Sequence, residues 1–292
     1  MPSTRDIRRR IKSVKSTAQI TKAMQMVASS KMVKAQQSAL NYRPFGTMVS
    51  EIMGHLAADA GDYLHPLMEQ REVRKRAVIV IGTDKGLCGA LNSNLFREVS
   101  KHDPATTQFI AVGKKAAQFL ARTRRKLVAE FSYHDTPTYS ECRTISAFAQ
   151  ELFLRGEVDQ VDTLYTRFIN TLSQRPDVRL LLPMGSVESV RAEARGHAAG
   201  TPTEPSHFDF LFEPDAPTVM DRLMLYFVDF RVAQLLLEAK ASEHSARMVA
   251  MKNATDNANQ LIKQLTLEYN KMRQASITKE LLEISSAAMA LG

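Results

Sequence analysis

The segment Thr83-Asp84-Lys85-Gly86-Leu87-Cys88-Gly89 gathers a hydroxyl, a carboxylate, an ammonium, a thiol and two glycines within seven residues. Such a set could cradle a phosphate on backbone amides or present a thiolate nucleophile. The phosphate reading needs the spacing GxxxxGK[ST], which is absent, so a tight strand-to-helix turn fits the glycines better. Cys88 would be a nucleophile only with a lowered pKa, and a small buried cysteine is the simpler reading. The other cysteine, Cys142, lies 54 residues on, which is neither a disulfide framework nor a metal-ligand spacing. Seven histidines contain no HxxxH or HExxH pair. With no triad, metal set or cofactor fingerprint, the expectation is a chain without catalytic residues, cofactor or metal.

Charge is the next resource. Residues 1–43 hold ten Lys/Arg against Asp6 alone, a net +9, and residues 218–292 hold nine basic and eight acidic residues. The +8 of the whole chain therefore leaves the middle at −2. A basic N-terminal segment suits an acidic partner surface. Arg8-Arg9-Arg10 within it fits a partner site and a solvated helix face equally well.

These residues need elements to carry them. Residues 3–43 and 218–291 contain neither Pro nor Gly, and the second run is 74 residues long. As one helix it would span about 110 Å at ~1.5 Å per residue. Steps of four and three pass through Leu223, Phe227, Phe230, Gln234, Leu237, Ala241, His244, Met248, Met251, Thr255, Ala258, Ile262, Leu265, Tyr269 and Met272. The same steps in the N-terminal run pass through Ile7, Ile11, Val14, Ala18, Thr21, Gln25, Ala28, Met32 and Ala35. Sustained heptads at both ends predict an antiparallel intramolecular coiled coil. His244 reads as a polar position that sets register, and the seam methionines read as core. The first helix is expected to pass Pro44 with a kink and stop before Gly61. Pairing residue 58 with residue 218 puts residue 3 opposite residue 273. There the C-terminal series slips one residue, to Ile277, Leu281, Ile284, Ala288 and Leu291. The last ~20 residues are expected to project as a single helix whose apolar stripe needs another protein.

Between the helices, Ala77–Gly82, Gln108–Gly113, Val161–Ile169 and Val178–Leu182 read as strands, with Phe208–Phe212 a further candidate. Leu91–Lys101, Lys114–Arg122 and Glu141–Arg155 read as helices, and 185–205 as a mobile loop. This alternation predicts a Rossmann-like α/β domain. The expected division is a coiled-coil helix over 1–60, an α/β domain over 73–213 and a second coiled-coil helix over 218–292. No apolar run approaches the ~20 residues of a membrane span. The first residues read as mature protein rather than a leader, and two lone cysteines fit a reducing, cytoplasmic compartment.

Four blocks carry a family resemblance. Thr21-Lys22-Ala23-Met24-Gln25-Met26-Val27-Ala28-Ser29-Ser30-Lys31 is similar to the N-terminal motif of F-type ATP synthase γ subunits. Thr83–Asn92 resembles that family's central motif. Ser242–Met251 and Tyr269–Thr278 resemble its C-terminal one. The resemblance implies a mechanical shaft without chemistry of its own, standing in a ring of three α and three β subunits. The α/β domain would be a foot near the ε subunit and the membrane c-ring, at the cytoplasmic face of a bacterial inner membrane. By motif match, Lys22 and Met24 would face the head where β levers push. Arg247 would pair with a β carboxylate, and Arg273, Gln274 and Thr278 would catch polar groups high in the head. Light-regulated chloroplast relatives carry a close cysteine pair, which this chain lacks. The rival readings are a basic coiled-coil nucleic-acid binder and an α/β enzyme with helical arms. Against the first, no aromatic residue precedes Tyr42 in the basic segment.

Overall fold

The computed structural model describes residues 3–59, 65–185 and 213–291. They form α1 (Thr4–Asp59), a 3-10 turn (Pro66–Met68), β1 (Arg76–Ile81), α2 (Leu91–Val99), β2 (Thr107–Val112) and α3 (Lys114–Arg122). Then follow β3 (Leu127–Phe131), α4 (Tyr139–Leu154), β4 (Gln160–Phe168), β5 (Gln174–Leu182) and α5 (Ala216–Leu291). The chain divides into two compact units, residues 1–29 with 247–292 and residues 30–246. The loop expected over 185–205 and the candidate strand Phe208–Phe212 fall, apart from residue 185, outside the described residues.

In the larger unit the sheet order is β3-β2-β1-β4-β5, with β1 to β4 parallel and β5 antiparallel at one edge. The Rossmann-like expectation is met. Period-two alternation along β1 explains the two cores. Val78 and Val80 face α2 and α3, with Leu95, Val99, Phe109, Ala116 and Leu120. Ala77, Ile79 and Ile81 face the other way, into a core with Ile145, Phe153, Met224, Val228 and Leu236. Thus β1 is buried on both sides, as a central parallel strand should be.

Three elements depart most from the sequence reading. β3 was not foreseen: its Leu-Val-Ala-Glu-Phe run is short, half-buried and follows a basic stretch. α4 begins at Tyr139 because Thr138 and Glu141 form a reciprocal capping box. β5 begins at Gln174, four residues early. It carries Pro176, which an edge strand tolerates, and among the described strands β5 pairs on one side only, with β4.

α1 runs through Pro44 as one helix and ends at Asp59. No seam position from Ile7 to Ala35 is exposed, and none from Leu223 to Met272. The predicted register, carried along, sets residue 21 opposite 255 and residue 46 opposite 230. In the smaller unit Thr21 Oγ1 lies 2.7 Å from Thr255 Oγ1. In the larger unit a Cβ on Gly46 would overlap the Phe230 ring, so the helices meet there only because residue 46 has no side chain.

Candidate functional site

The smaller unit is held by small seam residues. Ala18, Ala28 and Ala258 are buried and let the backbones approach closely. The Thr21–Thr255 pair is the polar point among them. Thr21 Oγ1 also lies 3.1 Å from Ala18 O, and Thr255 Oγ1 lies 2.8 Å from Met251 O. Each hydroxyl has one proton, so one of these three contacts is shared. The pair therefore satisfies two buried hydroxyls and marks register without burying a charge.

Around that seam lies a basic surface. Arg5, Arg8, Arg9, Lys12 and Lys15 line an open depression with Ile11. Asp6 caps the helix: Ser3 Oγ donates to Asp6 Oδ2 at 2.8 Å, and Arg9 approaches Oδ1 at 3.0 Å. Hydrogen bonds from Ser3, aided by Arg9 and Arg10, hold the Asp6 carboxyl below the usual carboxylate range. Lys22 is exposed, its Nζ 3.4 Å from Gln25 Oε1 on the same helix, and Met24 is half-buried. Arg247, half-buried on α5, is already engaged within the chain.

The end of α5 differs from everything before it. Every described side chain from Arg273 to Ala287, and Met289 beyond, is exposed. Thr278 Oγ1 donates to Gln274 O at 2.9 Å, which leaves its oxygen lone pairs facing outward beside the Gln274 amide and Arg273. Ile277, Leu281, Leu282, Ile284 and Met289 are 49 to 82% exposed. Ile277, Leu281 and Ile284 share one helix face, while Leu282 and Met289 share another, roughly 130° round at ~100° per residue. The sequence reading found only the first stripe. A helix apolar on two faces is suited to enclosure rather than to a flat contact.

The central motif makes a joint rather than a ligand cradle. Asn92 Nδ2 donates to Thr83 Oγ1 at 2.7 Å, and Thr83 Oγ1 donates to Lys85 O at 2.8 Å. Asp84 Oδ1 accepts Lys114 N at 3.0 Å, and Thr83 O accepts Lys115 N at 2.9 Å. The first amides of α3 are therefore taken by this turn. Gly113, at φ 97°, passes so close to Gly82 that a Cβ would lie 2.6 Å from its carbonyl oxygen. Cys88 and Cys142 are buried free thiols, and burial, with nearby Glu141 and Asp229, pushes Cys142 up to about 12. Among the described residues no group of three or more His, Cys, Asp or Glu could hold a metal, and no helix is long and apolar enough to cross a membrane.

Sequence reasoning missed a buried charge cluster in the larger unit. Lys240 is 2% exposed, with Nζ 3.2 Å from Glu243 Oε2, 3.8 Å from Asp135 Oδ1 and 4.3 Å over the Tyr133 ring. His244, read as a register-setting seam position, places Nε2 3.4 Å from Asp135 Oδ1. Lys31 of α1 closes the set at 2.6 Å from Asp135 Oδ2. Burial opposes ionisation of Asp135, but the Lys31 hydrogen bond and the Lys240 and His244 charges outweigh it and hold the carboxyl low. The signal was present: Lys240 and Glu243 flank seam positions Ala241 and His244, where a solvated face is not available.

The family model described as ATP synthase matches residues 3–291. The ATP synthase gamma chain of Methylacidiphilum infernorum is 47% identical, with all of both chains covered. That of Opitutus terrae is 48% identical over 99% of each. Among solved structures, a central stalk/c-ring structure of the Tetrahymena thermophila mitochondrial ATP synthase matches at TM-score 0.60 and 25% identity, covering 80% of this chain and 99% of that one. A chain of the Euglena gracilis mitochondrial ATP synthase shares the fold at TM-score 0.67 and 21% identity, with 99% and 94% covered.

Proposed function

The chain belongs to the ATP synthase gamma chain family, and on that premise we propose that it is a non-catalytic rotary shaft. It couples ion flow through a membrane c-ring to ATP synthesis and hydrolysis on β subunits. The observation that carries this is the two-faced apolar end of α5, which its own chain leaves uncovered. Burial is non-directional, so an enclosing sleeve of α and β subunits can cover both faces at every rotation angle.

The motif resemblance supports a set of contacts within this reading. Exposed Lys22 and adjacent Met24 meet the β levers, where the basic face of α1 suits their carboxylates. Arg247 pairs with a β carboxylate. Arg273, Gln274 and Thr278 form releasable polar catches at the start of the uncovered segment. The α/β domain is the foot, against the ε subunit and the c-ring. Residues 1–60 and 218–292 serve as the coiled-coil domains and 73–213 as the foot domain. We place the assembly at the cytoplasmic face of a bacterial inner membrane, with this chain peripheral to the bilayer. The full-length likeness to the gamma chains named above supports that placement. No nucleic acid and no small-molecule substrate is required, and the nucleic-acid alternative gains nothing from these likenesses.

Reconstitution tests the reading. Vesicles holding the α, β, ε and membrane subunits should pump ions at the expense of ATP only when this chain is added. The purified chain alone should not turn over ATP. Turnover by the pure chain, or pumping without it, refutes the shaft.

A further inference from the structure

We propose that Asp135 is a clip that ties both long helices to the α/β domain at one carboxylate, so that α1 and α5 take up torque together there. This rests on the shaft reading. Asp135 lies in the turn beyond β3, at the C-terminal end of the parallel strands. Tyr133, two residues earlier, sends its hydroxyl to the carbonyl of Gly82 beyond β1, at 3.5 Å. From this point the carboxylate reaches α1 through Lys31 at 2.6 Å and α5 through His244 at 3.4 Å and Lys240 at 3.8 Å. The Lys240 ammonium is itself pinned between Tyr133 and Glu243. Two helices and one loop of the α/β domain thus meet on a single side chain.

The chemistry suits an angular lock. Buried charge clusters contribute little net stability compared with apolar packing of the same volume. What they add is placement: the Lys31 hydrogen bond, with the Lys240 ammonium and the His244 ring close by, favours one arrangement of the three elements around the carboxylate. α5 also has hydrogen bonds to the α/β domain, with Glu238 accepting from Phe168 N at 3.2 Å, Ser245 Oγ donating to Thr171 O at 2.8 Å, and Asp229 accepting from Tyr139 and Ser146. The remainder of that contact is apolar, through Met224, Val228, Val232, Leu236 and Ala239. Such packing resists separation more than it fixes an orientation. A helix driven about its own axis would slip on this surface first, and the ion pairs oppose that slip.

Lys31 is half-exposed and Asp135 lies outside every core, so neither substitution opens a cavity. The test uses the assembled complex in vesicles, comparing ions pumped per ATP hydrolysed. Asp135→Ala and Lys31→Met should each lower that ratio to about half or less, the scale of coupling between contacting charges. Their losses should not add, and Asp135→Glu should restore much of the ratio. Asp229→Asn serves as control. Asp229 is a buried carboxylate of α5 that takes hydrogen bonds from Tyr139 and Ser146 of α4. It should lower the melting temperature and leave pumping per ATP unchanged. If wild type pumps and Asp135→Ala pumps equally well per ATP, the clip is wrong while the shaft stands. Additive losses, or an equal loss in Asp229→Asn, also overturn it. Wild-type hydrolysis without pumping overturns the shaft reading itself.

Discussion

Consider replacing Ile277, Leu281, Leu282 and Ile284 together with glutamine. Glutamine matches leucine closely in helix propensity, so α5 should persist. All four side chains are about half to two-thirds exposed in the free chain. Polar replacement there should therefore move its unfolding free energy by no more than about 0.5 kcal/mol per site. The effect belongs to the complex. Full burial of an aliphatic side chain is worth about 1.5–3 kcal/mol, and what remains exposed in each of these is worth roughly 1 kcal/mol. Four sites give about 4 kcal/mol at most. Imperfect enclosure and ordering costs reduce this, leaving a weakening of about 30-fold or more in binding to an α/β ring. The assay is the dissociation constant of the variant for a ring of α and β subunits lacking this chain, with circular dichroism on the free chain as control. Affinity within about threefold of wild type, beside an unchanged free chain, would refute the sleeve.

Further outcomes follow from the packing. Gly46→Ala puts a methyl into the Phe230 ring and should destabilise the chain by about 1–3 kcal/mol in urea unfolding, with Phe230→Leu restoring most of it. Thr255→Val removes the Thr21–Thr255 hydrogen bond while Thr21 keeps its contact to Ala18 O, and should cost about 0.5–1.5 kcal/mol, while the Thr21→Val, Thr255→Val pair should be nearly neutral. Equal costs for single and double variants would mean the hydroxyls do not pair. Burial raises the Asp162 carboxyl above its ordinary range, against a hydrogen bond from Gln160 and the charge of Arg76. A raised acid stabilises fully below its unfolded pKa and loses that contribution as pH rises through the folded one. Asp162→Asn should then gain on wild type near neutral pH, with no gain near pH 3, about the ordinary Asp value. A gain independent of pH would exclude ionisation as its cause.

Legibility in the sequence follows from how each signal is encoded. The heptad seam repeats one constraint over dozens of residues, so its faces and register could be read from steps of three and four. The Thr21–Thr255 contact falls where that register puts it. Strands β1 and β2 are buried on both faces and read as largely apolar runs, and β4, buried as deeply, keeps β-branched and aromatic residues between its polar ones. β3 has five residues, one of them Glu130, and carries no comparable run. The charge cluster was hidden for a different reason. Asp135 and Lys31 are 104 residues apart, and an exposed-looking aspartate gives no local sign of the two ammonium groups and the imidazole that meet it. The second apolar stripe, at Leu282 and Met289, lies off the steps of three and four that join Ile277, Leu281 and Ile284, so one heptad series does not contain it.

A shaft that turns inside a sleeve must grip where torque enters and slip where it is merely supported. Grip calls for short, directional bonds with one preferred angle. Slip calls for contacts whose energy hardly changes with angle, which burial and dispersion provide. Along α5 the residue types sort in that way. Lys240, Glu243 and His244 are buried among ionic partners. Near Thr255 the seam has thinned to small residues and one neutral hydroxyl pair. Beyond Thr278 the exposed apolar residues surround the helix on two faces, and the charged residues there, Lys279, Glu280 and Glu283, are solvent-facing, with Lys279 and Glu283 paired at 3.7 Å. That pair is self-satisfied on its own helix, so it makes no demand on a sleeve. Lys279→Met with Glu283→Met should therefore leave ring affinity unchanged or tighter, whereas a sleeve held by ion pairs would lose grip on the same change. The measured sign of that shift separates an apolar bearing from an ionic one.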